Sequence, residues 1–273
     1  MRKHDRNGGD ASIAPLRGFW TEPLARGLAL GSREAGEAQR YILRDKPSLR
    51  MIYNDIYRAM LDAAGEYVAV SGGGRIELGS GGGFLGAVDP SVITSDVRGL
   101  DGLDVVFDAC AMPFPNGSID VIFAMHVAHH IARPRLFLAE LERVLKPGGA
   151  LVAVEPFWSP VARLLYTHAH PEPFDPSAPT WEFESSGAMS SNQAMSYLLL
   201  ERDLPMLRRE FPDLEVVRLG SFGGPSYLLT GGIWRRKILP NTWIAWLWRA
   251  EQRSQWWRRF AALHHLFLLR RSP

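Results

Sequence analysis

The sequence predicts an α/β fold: a mostly parallel, seven-stranded sheet with helices on both faces. Two observations predict it. Short apolar runs alternate with stretches of helical periodicity through most of the chain. Several of those runs are apolar along their whole length rather than alternately apolar and polar, which is the pattern of strands buried on both faces.

Residues 1–30 begin M-R-K-H-D-R-N-G-G-D and read as disordered or irregular, with no apolar core to make a signal peptide. A helical lead-in over 31–66 comes next. Ser32 is a helix N-cap ahead of Glu34, Ala35, Ala38, Tyr41 and Ile42. Pro47 restarts the pattern through Leu49, Ile52, Tyr53, Ile56, Tyr57, Met60 and Leu61 until Gly65 ends it. Tyr53 and Tyr57, one turn apart, read first as amphipathic core residues and second as rings over a ligand. The main domain spans 67–273. Its first strand ends at Ile76-Glu77-Leu78, and further strands are expected over 92–96, 103–107, 119–125 and 150–154. A helix over 134–145 carries Leu136, Leu138, Leu141 and Leu145 and stops at Lys146-Pro147-Gly148-Gly149. Residues 157–190 are rich in Pro, His, Ser and aromatics, too long for an ordinary connection, and read as an insertion over the carboxyl edge of the sheet. Helical spacing returns at 193–201 and 205–211, a strand at 214–219, an aromatic-basic elaboration at 223–262 with a helix over 238–253, and a last strand at 266–269.

Composition narrows the function classes. A chain of 273 residues with 46% apolar content supports a sizeable core. The formal charge of +2 carries no overall nucleic-acid footprint. Charge is unevenly placed, however: from Trp234 onward there are nine Lys/Arg and one acid, leaving that tail at +8 and the rest at −6. Cys110 is the single cysteine, so no intrachain disulfide forms and a reducing cytoplasm fits. No run of 18 apolar residues suggests a transmembrane helix.

The stretch from Arg75 to Gly86, R-I-E-L-G-S-G-G-G-F-L-G, carries the chemistry. Glycines after a buried strand let backbone N–H groups approach a ligand, and a helix N-terminus beyond them favours an anion. Gly81-x-Gly83-x-x-Gly86 fits a dinucleotide fingerprint, while Glu77-x-Gly79-x-Gly81-x-Gly83 fits a methyltransferase motif. The acids and the turn downstream of the glycines separate them. Asp96 ends the second strand, Asp108-Ala109 ends the third, and Leu145-Lys146-Pro147-Gly148-Gly149 closes the helix before the fifth. A dinucleotide site would place its acid about 20 residues past the glycines, whereas Asp96 lies ten past Gly86. The series resembles the class I S-adenosylmethionine (SAM)-dependent methyltransferases, in the small-molecule branch called type 11, from about Gly74 to Glu155. D-A-C-A-M-P-F-P from Asp108 and S-I-D-V-I-F-A-M-H-V-A-H-H-I from Ser118 both match that branch. The chain is also similar to uncharacterised bacterial members that share its lead-in and its H-x-H-P-E-P-F-D-P stretch at 168–176.

The resemblance implies a Rossmann-like fold and SAM as cofactor. It implies that Gly79, Ser80, Gly81 and Gly83 surround the methionine part, with Glu77 steering its ammonium. Asp96, with Val97 beside it, would serve the ribose hydroxyls, Asp108 and Ala109 the adenine, and His126 would face the cofactor. Two departures stand out. Only 19 residues separate Glu77 from Asp96, limiting the intervening helix to a turn or two, and no crossover helix fits between Asp96 and Leu103. The adenine side is therefore expected to be open.

Methyl transfer needs an aligned acceptor more than a protein catalyst, and a base only where the acceptor must lose a proton. The catalytic candidates are His126, Glu155 and His170. His129, His130, His168, Glu172 and Asp175 lie at the same strand ends, where the two adjacent histidines read as packing or hydrogen-bonding residues. No metal is expected, because His168, His170 and Glu172 lack a third cluster with zinc spacing. Trp234, Trp243, Trp246, Trp248, Trp256 and Trp257, interleaved with arginines, read as an amphipathic helix covering the sheet or as a peripheral membrane contact through 234–271. The expected function is methylation of a small-molecule, lipid-linked or free, acceptor in the cytoplasm or at the inner membrane face, with no nucleic-acid partner. A catalytically silent SAM-fold binding or regulatory protein is the alternative. A nucleic-acid or protein methyltransferase would carry an Asn/Asp-Pro-Pro-Tyr tetrapeptide where Ala124-Met125-His126-Val127 stands.

Overall fold

A computed structural model describes residues 19–29, 31–69, 71–82, 84–170, 172–185, 187 and 190–273. The helical lead-in forms α1 (Arg33–Asp45) and α2 (Pro47–Tyr67). Ser32 caps α1 by accepting from the Ala35 N–H at 3.1 Å, and Pro47 occupies the first position of α2, where its missing N–H costs nothing. The strands are β1 (Gly74–Leu78), β2 (Ile93–Asp96), β3 (Val105–Val106), β4 (Ile119–Met125), β5 (Leu145–Pro156), β6 (Leu214–Phe222) and β7 (His264–Arg271). They form one seven-stranded sheet in the order β3-β2-β1-β4-β5-β7-β6. Every neighbouring pair is parallel except those made by β7, which runs antiparallel to both β5 and β6.

This order places a topological switch at β1, whose connection to β2 goes one way while β4 lies on its other side. Ligands in open α/β sheets bind at the carboxyl ends of the strands at such a point. Both faces are covered. On β4, Ile122 and Ala124 join a core with Phe137, Leu138 and Leu141 of α4 (Pro134–Val144). Val121 and Phe123 join a second core with Ile52, Ile56 and Met60 of α2, and with Ile244 and Trp248 of α9 (Asn241–Arg253). The continuous apolar reading of this strand has that cause.

Several elements differ from the sequence expectation in length. The third strand is two residues rather than five. The Asp104 carboxylate accepts from the Thr94 N–H at 2.8 Å and the Thr94 hydroxyl at 2.7 Å, taking over the place of a ladder bond. The helix after the glycine loop, α3 (Phe84–Val88), has five residues, as its spacing required. Lys146-Pro147-Gly148-Gly149 is the kinked start of β5 rather than a turn before it. Gly148 adopts φ +79°, and a Cβ on Gly149 would lie 2.9 Å from the Asp120 carbonyl oxygen. Buried Asp120 anchors this corner by accepting from the Ser71 and Gly73 N–H groups at 3.0 and 2.7 Å. The insertion contains α5 (Pro160–His168), and 193–201 forms a short helix, α6 (Met195–Tyr197), running into a wider turn over Leu198–Arg202. After α7 (Leu204–Glu210) and β6, α8 (Pro225–Leu229) precedes α9, and α10 (Gln255–Phe260) precedes β7.

The N-terminal segment closes over the carboxyl edge. Of residues 1–30, expected to be disordered or irregular, residues 1–18 and 30 lie outside the described residues. Thr21 bridges Arg235, and the Glu22 and Arg236 N–H groups donate to the Trp234 and Trp20 carbonyls at 3.0 and 2.9 Å. Lys46, at the start of α2, pins both strands of this cap. Its ammonium pairs with Glu22 at 2.9 Å and donates to the Gly232 carbonyl at 2.8 Å and to that of Arg235.

Candidate cofactor and acceptor site

The glycine loop leaves β1 in a conformation that only glycine holds cheaply. Gly79 and Gly81 have φ of +62° and +51°. A Cβ on Gly79 would sit 2.5 Å from Val127 Cγ2, so the loop and the turn after β4 approach as closely as backbone allows. Ser80 fastens the loop to β2: its N–H donates to the Ser95 carbonyl at 2.7 Å, and its hydroxyl accepts from the Ser95 N–H at 3.0 Å. Arg40 of α1 donates to the Gly82 carbonyl at 3.0 Å, joining the lead-in to the loop. Gly83, a candidate cofactor residue, lies outside the described residues.

Three acids surround the loop and differ in burial and hydrogen bonding. Glu77 is buried, and its Oε2 has no hydrogen-bond partner. Burial pushes its carboxyl up to about 7, the Ser80 hydroxyl opposes this, and the Asp96 charge adds to it. Asp96 is equally buried but fully engaged. It accepts from the Gly81 N–H at 3.2 Å, and Arg98 forks onto it through Nε at 3.1 Å and Nη2 at 3.0 Å. Asp108 is about half exposed, its side chain at 49%. It accepts from the Cys110 N–H at 2.8 Å and from Arg133 at 3.3 Å. Val97 and Ala109 stand beside these acids on the wall of the same cavity.

That cavity has a volume of about 1190 Å³. Single-ligand pockets usually occupy about 300–1,000 Å³, so there is room for two molecules. One end holds the glycine loop, Glu77, Asp96 and Asp108. The other is walled by Tyr53, Tyr166, Tyr227, His126, His170 and His264, and its mouth by Trp20, Leu228, Ile233, Trp234 and Ile238.

The three catalytic candidates separate clearly. His126 lines the cavity at the end of β4 with φ +57°, the one non-glycine residue with positive φ among the described residues. The strain is held by its N–H donating to the Val154 carbonyl at 2.8 Å, and its Nε2 has no partner. Burial lowers the imidazole to about 4, so it is neutral at physiological pH. His170 also lines the cavity; its Nδ1 accepts from the Glu172 N–H at 3.3 Å, and burial lowers its affinity for a proton. Glu155 does not line the cavity. Its Oε1 accepts from the Val127 and Ala128 N–H groups at 2.8 and 2.7 Å, and its Oε2 from His129 Nδ1 at 2.6 Å. Burial would raise this carboxyl, but the His129 charge and hydrogen bond outweigh it and hold it at about 2. A carboxylate so occupied positions the turn after β4 and is not a free base. His168 is exposed at the end of α5, and Asp175 closes a local turn onto Ser177.

Residues 35–153 match the model of the family described as "Methyltransferase domain". The match covers less than half of the chain. Among curated relatives, the chain is 44% identical over 50 residues to a 2-methyl-6-phytyl-1,4-hydroquinone methyltransferase of Synechocystis sp., covering 18% of this chain and 16% of that one. It is 39% identical over 61 residues to a demethylmenaquinone methyltransferase of Thermus thermophilus, covering 22% and 28% respectively. The matched segments thus span less than a third of these relatives' lengths. Among solved structures, a SAM-dependent methyltransferase from Thermotoga maritima, described as a possible histamine N-methyltransferase, shares the fold. Its TM-score is 0.50 at 14% identity, over 86% of this chain and 99% of that one.

Several residues of the cavity carry no signal in the sequence. Tyr227, His264 and Gln193 lie outside the segment that matches the methyltransferase domain; they reach the acceptor end from distant segments, and no local motif announces them. Arg98 is readable only as a charge next to Asp96. Tyr53 and Tyr57 serve both readings at once, packing in the core and lining the cavity.

Proposed function

We propose that the protein is a SAM-dependent methyltransferase acting on a small, amphiphilic acceptor of the lipid-linked phenol or quinol class. The observation that carries this reading is the continuous cavity running from the Glu77 carboxylate, with its unpartnered oxygen, to an apolar, aromatic mouth. The residues present suit the cofactor: a glycine loop whose backbone at Gly79 and Gly81 lines the cavity, and a buried acid with an unpartnered oxygen for an ammonium. In this assignment Gly79, Ser80, Gly81 and Gly83 hold the methionine part and Glu77 its ammonium. Asp96 receives the ribose hydroxyls as Arg98 gives up part of its fork, and Asp108 and Ala109 face the adenine on the open side. SAM, when bound, supplies a methyl group already activated on a sulfonium, so the chain's task is alignment. His126, neutral and with Nε2 unpartnered, accepts a hydrogen bond from an acceptor hydroxyl. His170 and Tyr227 shape the wall opposite.

The relatives that act on a phytyl hydroquinone and on demethylmenaquinone support an acceptor of that chemistry. So does an exposed aromatic surface on α9 and α10. Trp243 and Trp246 of α9 are each 65% exposed, and Trp256 of α10 is 58% exposed. Arg249, Arg253, Arg258 and Arg259 are exposed beside them. Among the described residues no helix is long and apolar enough to cross a membrane. An aromatic-cationic surface of this kind suits an interface with anionic lipid, from which an amphiphile would enter between Trp20 and Ile238. Calorimetry with SAM and its demethylated product tests the cofactor, and transfer of labelled methyl to detergent-solubilised quinols tests the acceptor. Binding of neither cofactor form would overturn the enzyme reading; methylation of water-soluble phenols alone would overturn the acceptor class.

A further inference from the structure

The acceptor end contains a cluster that neither the motif series nor the family match explains. His129, His130 and Glu172 bring three ligand atoms within 4.8 Å of one another on the cavity wall. The sequence pattern groups Glu172 with His168 and His170 instead. In the structure His168 is exposed to solvent, and the short helical turn after β4 delivers the adjacent pair at 129 and 130 to the same carboxylate.

From this geometry we infer that His129, His130 and Glu172 form a binding site for a divalent transition metal of the zinc class, with its open position facing the acceptor. Both imidazoles are set for the purpose by their other nitrogen. His129 Nδ1 donates to Glu155 Oε2 at 2.6 Å, and His130 Nδ1 stands 3.2 Å from the Ser190 carbonyl oxygen. A ring whose Nδ1–H is given to a carboxylate or carbonyl turns its Nε2 outward, the usual outer-shell arrangement of metal-bound histidine, and a metal binding there would displace the Nε2 proton that gives His129 its charge. Those two Nε2 atoms lie 3.5 and 4.0 Å from the same oxygen, Glu172 Oε2. A tetrahedral zinc with bonds of about 2.0–2.1 Å needs donors roughly 3.3 Å apart, so side-chain shifts below about 1 Å would close the site. Glu172 is itself held, accepting from the Gln193 amide and from the Ser191 hydroxyl at 3.3 Å.

Two histidines and one carboxylate with a vacant fourth position is the donor set of catalytic rather than structural zinc. All three ligands line the acceptor end, so the fourth ligand would be an acceptor oxygen, which the metal would orient and acidify. Glu155 thereby gains a role: it is the carboxylate behind the metal-facing histidine. The inference does not depend on the methyl-transfer reading, because metal binding is read with neither SAM nor acceptor present.

The test uses the full chain, stripped with chelator and titrated with ZnCl₂ by calorimetry and with Co(II) by visible absorption. The expected result is about one equivalent per chain, with tetrahedral Co(II) bands, displaced by zinc. Glu172→Gln and His130→Ala should each weaken binding by roughly 100-fold or more, while His168→Ala should not change it. His129→Ala would strand the buried Glu155 charge and is unsuited as a first variant; circular dichroism of the other two confirms that they fold. Tighter binding of Mn(II) or Fe(II) than of zinc, with the same dependence on these residues, would overturn the zinc-class assignment. Absence of stoichiometric binding, or binding indifferent to both variants, would overturn the site itself.

Discussion

Replacing Glu77 by glutamine separates what this acid does for the cofactor from what it does to the fold. The carboxyl is buried, one oxygen is unpartnered, and burial raises it from the ordinary 4.5 to about 7. That gap corresponds to about 3 kcal/mol of preference for the neutral form. Because the value is raised in the folded state, the folded protein holds the proton more tightly than the unfolded chain. Stability is therefore greatest below about 4.5, falls as pH rises towards about 7, and stays at the lower level above it. Glutamine resembles the protonated acid and has nothing to lose. Glu77→Gln should match the native chain to within about 1 kcal/mol at pH 5 and exceed it by up to about 3 kcal/mol at pH 8. Urea unfolding followed by tryptophan fluorescence at the two pH values measures this. Cofactor affinity should move oppositely, because the ammonium loses a charged partner: a loss of roughly 10- to 100-fold at pH 8 by calorimetry. A variant no more stable at pH 8 relative to pH 5, with unchanged SAM affinity, would refute the assignment of Glu77 as an acid held for the ammonium.

Gly79→Ala should cost about 1–2 kcal/mol for the left-handed backbone alone, and more because its Cβ would meet Val127 at 2.5 Å; lowered thermal stability with lost SAM binding checks it. Lys46→Met should destabilise by about 3–5 kcal/mol, as broken buried ion pairs do, since Glu22 and two carbonyls lose their partner. Glu22→Gln in the same chain should recover part of the loss in a denaturation series. Replacing Trp243 and Trp246 together by serine should abolish flotation with anionic liposomes at low salt while leaving SAM affinity intact, because both rings face solvent.

The cofactor end was legible because its chemistry is local in sequence. A strand end, a glycine loop and strand-end acids come one after another at short range, so the resemblance carried by that series grouped Glu77, Gly79, Ser80, Gly81, Asp96 and Asp108, and all six line one cavity. The short α3 was legible for the same reason: Pro90 and the brief interval to Asp96 left no room for more. Strand ends were less so. Asp104 reads as part of a strand because it precedes two valines, yet its carboxylate replaces a ladder bond at Thr94. Side-chain substitution of that kind has no periodicity to detect. The acceptor end was least legible. His126 and His129 come from the β4 turn, His170 and Glu172 from the insertion, Tyr227 from α8 and His264 from β7. Only the assembled fold brings them together.

The employment of Glu155 shows why a strand-end acid cannot be read as a base from position alone. The turn after β4 must change direction sharply to leave room for a ligand, which strands the Val127 and Ala128 N–H groups in a buried place, and it carries His126 at φ +57°. A buried donor without a partner costs as much as a lost hydrogen bond. Glu155, arriving at the end of the adjacent β5, accepts both N–H groups and His129 besides, so the fold engages both of its oxygens before any substrate is present. The same bonds that remove Glu155 from proton transfer hold the strained turn, keep Val127 against Gly79, and leave the far nitrogen of His129 facing Glu172. One carboxylate thus sets the spacing between the cofactor end and the acceptor end, and its influence on the reaction runs through what it positions.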